Sequence, residues 1–217
     1  MTLVRIPQTG NSVTVGKILC LGRNYAAHAK EMKAETGSPV IFLKPPTSLL
    51  HDGGRIVIPP ISRELHYEVE MVLVIGKNGK NILRERAFEY VSGYAVGLDM
   101  TLRDVQAEAK KNGLPWTVAK GFDTSAPMSE VVAKEQVLHP ESLDISLKVN
   151  GIVRQHSNTS EMIFSIEEII SYMSSIFSLE AGDLIFTGTP EGVGEVISGD
   201  QLEAELESVG TLRVSVQ

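Results

Sequence analysis

Two glutamates at alternate positions open the chemically most suggestive stretch of the chain. His66-Tyr67-Glu68-Val69-Glu70 runs directly into Met71-Val72-Leu73-Val74-Ile75. Side chains of a strand alternate between faces, so His66, Glu68, Glu70, Val72 and Val74 share one face and Tyr67, Val69, Met71, Leu73 and Ile75 the other. Both faces turn apolar in the second half, the pattern of a strand covered on both sides. Uncompensated charge at the head of such a strand costs several kcal/mol, so a cation is its natural partner. A glutamate pair in water at an exposed strand end is the competing reading. Asp99 supplies a third carboxylate, where the apolar run Gly93 to Asp99 stops and a helix begins. Together Glu68, Glu70 and Asp99 would form a hard, all-oxygen, triply anionic site suited to Mg²⁺, Mn²⁺ or Ca²⁺ rather than Zn²⁺. A helix-capping role is the alternative for Asp99.

Three other features could work beside such a site. Lys120, in the apolar setting Val118-Ala119-Lys120-Gly121-Phe122, is either a surface lysine or an ammonium that offsets carboxylate charge and stabilises a developing enolate. His28 and Glu31 lie three apart, on one face of a short helix, and a glutamate beside a histidine makes an oriented general base. Chance alone also places such pairs on exposed helices. Gly188-Thr189-Pro190-Glu191-Gly192-Val193-Gly194 is a structural turn or an anion-binding nest of backbone amides with the Thr189 hydroxyl. Its glycine and lysine spacing is neither that of a Walker A loop nor of a dinucleotide fingerprint.

The elements that must position these groups are mostly strands. Ile18 to Leu21 reads as a buried strand carrying Cys20, followed by Asn24 as N-cap of a short helix. Strands are expected over Val40 to Leu43, Ile56 to Ile58, Tyr67 to Ile75 and Gly93 to Asp99, with a helix over 82–92. Thr101 with Asp104 marks the start of a helix running to Asn112-Gly113. Asn150-Gly151 between two alternating runs is the clearest hairpin signal. Ser165-Ile166-Glu167-Glu168 reads as a capping box for a helix with a core stripe of Ile166, Ile169, Ile170, Met173, Ile176 and Phe177. Gly182-Asp183 and Gly199-Asp200 echo one another as tight turns feeding strands. With few helices and no regular βαβ alternation, the fold class is α+β, mostly β.

Composition narrows the function. A chain of 217 residues with 42% hydrophobic and 22% charged residues is that of a globular protein, read here as one domain over 1–217. The net charge of -7, without any basic cluster, argues against a nucleic-acid partner. One cysteine fits a reducing compartment, and the N-terminus has neither a signal-peptide core nor a transit-peptide pattern. No apolar run approaches the ~20 residues needed to span a bilayer. A cytoplasmic protein without a membrane partner is expected.

In combination, these segments resemble the fumarylacetoacetate hydrolase family, and within it the small single-domain branch of acylpyruvate hydrolases and oxaloacetate decarboxylases. The matching segments are Gly22-Arg23-Asn24-Tyr25 with His28 and Glu31, Phe42-Leu43-Lys44-Pro45, His66 to Glu70, and Gly97 to Asp104. Trp116 to Lys120 with Phe122-Asp123, Gly182-Asp183 and Thr187 to Gly194 complete the set. The resemblance implies a mixed β-roll, a homodimer, and Mg²⁺ or Mn²⁺ on Glu68, Glu70 and Asp99. It also implies a water-activating dyad of His28 and Glu31 on a mobile lid (the segment from Lys30 to Pro39), and Lys120 supporting an enolate. Arg23, Arg103, Gln106 and Thr189 match positions that hold substrate oxygens. A 2-oxo acid is then the substrate. Hydrolysis of an acylpyruvate and decarboxylation of oxaloacetate both release the enolate of pyruvate, so one enolate-stabilising site serves both. Tautomerisation of oxaloacetate is a third outcome. A decarboxylase, isomerase or hydratase of aromatic ring-cleavage products is the alternative enzyme, and a non-catalytic binding protein on the same scaffold the rival from another class.

Overall fold

The computed structural model describes residues 2–6, 11–31 and 38–217, so the core of the expected lid, residues 32–37, lies outside the described residues. In chain order the strands begin with β1 (Leu3–Ile6), β2 (Asn11–Thr14), β3 (Ile18–Gly22), β4 (Val40–Lys44), β5 (Leu49–His51) and β6 (Arg55–Ile56). Next come β7 (Leu65–Tyr67), β8 (Val69–Ile75), β9 (Val91–Leu98), β10 (Thr101–Leu102), β11 (Ala126–Met128) and β12 (Val132–Ala133). The last are β13 (Asp144–Val149), β14 (Ile152–Asn158), β15 (Leu184–Phe186), β16 (Gly194–Val196), β17 (Gln201–Leu206) and β18 (Gly210–Val216). The α-helices are α1 (Ala26–Glu31), α2 (Arg103–Lys111), α3 (Thr117–Lys120) and α4 (Ile166–Ile176). The expected mostly-β, mixed architecture is what forms.

A large sheet runs β4-β3-β15-β8-β9-β11-β5, with β12 beside β9, and curls into a half-barrel. It is mixed, since β15 pairs parallel with β3 and antiparallel with β8. A second sheet, β14-β13-β17-β18-β6, packs on β8 and β9 through β13, β17 and β18. Strand β8 is buried throughout, and its faces feed different apolar clusters. Met71, Leu73 and Ile75 pack with Leu147, Ile170 and Leu212, while Val72 and Val74 pack with Cys20, Ala95 and Phe186. The strand covered on both sides is therefore present, though it does not run unbroken from Tyr67 to Ile75.

That break organises the molecule. A third, small sheet has the order β10-β7-β16. Three stretches of chain pass between it and the large sheet: β7 into β8 at Glu68, β9 into β10 at Asp99-Met100, and β15 into β16 through residues 187–193. At the seam the Asp99 amide donates to the Glu68 carbonyl at 2.8 Å, which sets the two carboxyl-bearing residues side by side. Glu70 lies opposite Gly97 one step inside the large sheet.

Several local expectations hold for the expected reasons. The Asn150-Gly151 turn adopts φ of 52° and 79°, and β13 pairs antiparallel with β14. Ser165 and Glu168 form a capping box. Gly182 and Gly199 turn at φ of 95° and 98°, and the aspartate after each accepts from the amide three residues back, on Glu180 and Ile197.

Others are corrected. The helix expected over 82–92 is shorter, a 3-10 helix over Arg84–Tyr90. The strand expected over Ile56 to Ile58 is only Arg55–Ile56, since Pro59 follows closely. Ile176 is half exposed, because α4 ends there and its last turn leaves the core. The N-cap position of α2 is Leu102, which has no capping side chain; Asp104 accepts from the first-turn Val105 amide at 2.8 Å and also holds the Ser62 hydroxyl at 2.5 Å and the Arg63 amide at 2.9 Å, closing the preceding loop onto the helix. Nor does Asn24 cap α1. Fully buried, it donates to the Thr187 carbonyl at 2.8 Å and the Phe164 carbonyl at 3.2 Å, and accepts from the Phe164 amide at 2.7 Å.

Asn24 thus pins three distant segments together. Asn24→Ala leaves buried carbonyls and an amide without partners, and should lower the unfolding free energy by about 3 kcal/mol in a urea titration. A loss below about 0.5 kcal/mol, as for a surface substitution, would contradict this.

Candidate active site

Glu68, Glu70 and Asp99 are all buried, and one carboxylate oxygen from each lies within 4.8 Å of the others. The structure brings together at the seam the three carboxylates that the sequence singled out. Their charge is held by cations from three elements. Lys120, at the end of α3, donates to Glu68 Oε2 at 2.8 Å and to Asp99 Oδ2 at 2.7 Å. Arg103, first residue of α2, donates through Nη2 to Glu68 Oε1 at 2.5 Å and through Nη1 to Gln106 Oε1 at 2.8 Å. Lys44, at the end of β4, places Nζ 2.7 Å from Asp99 Oδ1. Buried as completely as the carboxylates, it also donates to the carbonyls of Met100, Lys120 and Ser125. The α3 backbone and the β10 entrance are thereby tied to one ammonium.

These surroundings pull the two glutamates apart. Burial alone would raise the Glu68 carboxyl, but Lys120 and Arg103 outweigh it and hold Glu68 far below the usual carboxylate range. Burial raises Glu70 well above that range, and the Asp99 and Glu68 charges push the same way; the Gly188 amide only partly opposes them. Burial works against the Lys120 ammonium, yet the Asp99 and Glu68 charges keep its affinity for the proton above that of a free lysine.

The Gly-rich turn after β15 serves this centre from within. Its Gly188 amide donates to Glu70 Oε2 at 2.7 Å, so the nest read from the sequence is engaged by a protein carboxylate. Gly188 must be glycine: its φ is 98°, and a Cβ would sit 2.6 Å from that of Asn24. The expected dyad is also assembled. His28 Nδ1 lies 3.1 Å from Glu31 Oε2, and Glu31 Oε1 accepts from the Gly192 amide at 3.2 Å. With Nδ1–H donated to the glutamate, Nε2 is left as the proton acceptor.

One cleft joins these groups. Its lining includes His28, Glu68, Glu70, Lys120 and all four residues expected to hold substrate oxygens, Arg23, Arg103, Gln106 and Thr189. Three buried oxygen donors converging beside strong positive charge fit a hard divalent cation, which would take over the balancing of Glu70 that no lysine here performs. Cys20 is buried in β3, where burial raises its thiol, so it is no nucleophile.

Residues 17–217 match the family model described as fumarylacetoacetate (FAA) hydrolase C-terminal. The chain belongs to that family. It is 51% identical over 201 residues to a mitochondrial oxaloacetate tautomerase of Mus musculus, covering 92% of this chain and 91% of the relative. Among solved structures, it superposes with a TM-score of 0.95 on fumarylpyruvate hydrolase from Pseudomonas aeruginosa in complex with Mn²⁺ and pyruvate, at 41% identity over 99% of this chain and 94% of that one. A 5-carboxymethyl-2-hydroxymuconate delta-isomerase from Mycobacterium smegmatis gives 0.85 at 36% identity, over 99% and 81% of the two chains.

Two buried polar residues of this family member were not legible as site residues. Lys44 stands at the end of an apolar run and carries no pattern of its own. Gln155 is the one buried residue of β14, while the apolar Ile152 and Val153 are exposed. The Val69 amide can only donate, so it fixes Gln155 Oε1 as its acceptor at 3.0 Å. Gln155 Nε2 must then donate to the Thr189 hydroxyl at 2.9 Å and the Pro190 carbonyl at 2.8 Å. Having accepted that bond, Thr189 keeps its own proton for another acceptor in the cleft.

Gln155→Met should therefore lower kcat/KM on a 2-oxo acid about tenfold, the worth of one hydrogen bond to a charged group. In a Thr189→Val background the same change should cost little more. Equal losses in both backgrounds would show that Gln155 does not act through Thr189.

Proposed function

We propose that this protein is a Mg²⁺- or Mn²⁺-dependent enzyme that cleaves the carbon–carbon bond of acylpyruvates, decarboxylates oxaloacetate, or both, through the enolate of pyruvate. The observation that carries this reading is one cleft that joins a buried three-carboxylate centre, a lysine bonded to two of those carboxylates, and a separate His–Glu pair. Metal binding alone needs neither the dyad nor Lys120, which disfavours a non-catalytic binding protein. The relatives' names point the same way: an oxaloacetate tautomerase, and a fumarylpyruvate hydrolase holding Mn²⁺ and pyruvate.

Glu68, Glu70 and Asp99 would hold the divalent cation, whose Lewis acidity favours negative charge on the carbonyl oxygen of a 2-oxo acid. Lys120 spends two of its three N–H groups on Glu68 and Asp99 and has one left to donate to that oxygen as charge builds. Thr189 offers its hydroxyl proton, and Gln106 its amide NH₂, to carboxylate oxygens of the substrate. His28, held by Glu31, removes a proton from water for attack on the distal carbonyl of an acylpyruvate. Decarboxylation uses Lys120 and the carboxylate centre without an attacking water. Tautomerisation of oxaloacetate is the second reading, favoured by the tautomerase relatives, and asks only that His28 shuttle a proton at C3.

The same proposal carries one catalytic domain over 1–217, a homodimer, a small 2-oxo acid as the partner rather than nucleic acid or a membrane surface, and the cytoplasm. No helix among the described residues is long and apolar enough to cross a membrane.

Acetylpyruvate and oxaloacetate assayed side by side provide the test. Activity on at least one should need Mg²⁺ or Mn²⁺ and vanish on chelation. His28→Ala should cut acetylpyruvate hydrolysis about 100-fold, the usual worth of a general base, and oxaloacetate decarboxylation less. Full activity of the chelated protein on either substrate would overturn the proposal.

A further inference from the structure

The cleft holds more positive charge than its carboxylate centre uses. Arg103 and Lys120 are bonded to Glu68 and Asp99, but Arg23 and Lys110, which line the same cleft, pair with no carboxylate among the described residues. Arg23 holds left-handed backbone at φ 64° in the turn after β3, a conformation that costs a residue with a side chain about 1 kcal/mol or more. Lys110 has its ammonium 5.0 Å from the ring centroid of Trp116, whose indole in turn lies 6.0 Å from the Phe42 ring. The two rings give the ammonium a cation–π seat and the cleft an apolar wall.

The helix period adds a direction. Arg103, Gln106 and Lys110, all lining the cleft, are spaced i, i+3 and i+7, which places them along one face of α2. The first touches Glu68, and the last stands about 10 Å farther along the axis at 1.5 Å per residue. A row of donors thus leads from the carboxylate centre outward. Its far end is a cation that pairs with no carboxylate among the described residues, beside an apolar wall. Burial lowers the Lys110 ammonium's affinity for its proton, and the Arg103, Arg23 and Lys120 charges lower it further, as expected where positive charges crowd around a place for an anion.

We propose that Lys110, together with Arg23, forms a subsite for a second carboxylate at the far end of the substrate. The inference rests on the 2-oxo acid reading and narrows it. The preferred substrate is a 2-oxo acid whose distal arm ends in a carboxylate several bonds from the reacting carbonyl, in preference to one ending in a methyl group. The arm's carbon chain lies along Trp116 and Phe42. Lys111 carries the same charge next in sequence but does not line the cleft, which makes it the control for a general field effect or a favourable charge at the helix C-terminus.

Binding, without turnover, is the cleanest test. The probes are 2-oxoadipate and 2-oxohexanoate, equal in chain length and different only in the terminal carboxylate, titrated calorimetrically into the Mg²⁺-loaded protein. The wild type should bind the diacid about tenfold more tightly, the scale of a charge-assisted hydrogen bond discounted for partial exposure. Lys110→Met should abolish that preference, Lys110→Arg should keep part of it, and Lys111→Met should keep all of it. Equal binding of both probes by the wild type, or a preference that survives Lys110→Met, would overturn the subsite while leaving the 2-oxo acid reading intact. Failure of both probes to bind would overturn the subsite and the 2-oxo acid reading together. A preference that holds while acylpyruvates and oxaloacetate are left untouched would support the subsite against the proposed reaction.

Discussion

Three carboxylates are buried within a few ångströms of one another, and everything around them answers that cost. Left alone, charges this close in a dry setting would not all ionise. Lys44 and Lys120 bracket Asp99, Lys120 and Arg103 bracket Glu68, and Glu70 is left with a backbone amide and a carboxyl that holds its proton far above the usual range. The imbalance is local and specific. One member of the cluster lacks a countercharge that its two neighbours have, and a hard divalent cation is the kind of group that would supply it. Lys120 therefore has a double role, since it pairs with both Glu68 and Asp99 and presents the same ammonium to the cleft.

The seam between the large and small sheets explains how one short chain gathers these groups. A strand that ends in one sheet and resumes in another must place a residue at the corner where regular pairing lapses. Glu68 occupies such a corner, Asp99 a second, and the loop bearing Gly188 and Thr189 a third. The corners meet because β8 pairs with both β9 and β15, and β7 with both β10 and β16. Ligands drawn from rigid strand ends need little reorganisation on binding, which favours a precise site over an adaptable one.

How much of this could be read from the chain depends on whether a residue's neighbours in sequence are also its neighbours in space. Glu68, Glu70 and the apolar run after them announce a doubly covered strand because the period-two pattern is local. The capping box at Ser165 and the Asn150-Gly151 turn are local too, and both form as expected. Asn24 and Asp104 were legible only as polar residues near helix starts. Their partners, Phe164 and Thr187 for one and Ser62 and Arg63 for the other, are brought up by the fold, and these tertiary bonds win over capping. Lys44 fell within the matching segment Phe42-Leu43-Lys44-Pro45 without a role, and Gln155 was invisible, for the same reason. Nothing adjacent to Lys44 says that it will meet Asp99, and β14, exposed at Ile152, Val153 and Arg154 in succession, has no alternation that would mark its one buried amide. The extra charge at Lys110 likewise shows only once α2 lies along the cleft.

The central claim is that Glu68, Glu70 and Asp99 form a site for a hard divalent cation. Its most direct measurement is a titration of the chelator-treated protein with Mn²⁺, followed by electron paramagnetic resonance of the free ion. The account predicts one tight site per chain, competed by Mg²⁺ but poorly by Ca²⁺-free monovalent salts, and lost in Glu70→Gln while the melting temperature of the metal-free protein is kept. Undiminished Mn²⁺ binding by a folded Glu70→Gln protein would contradict it.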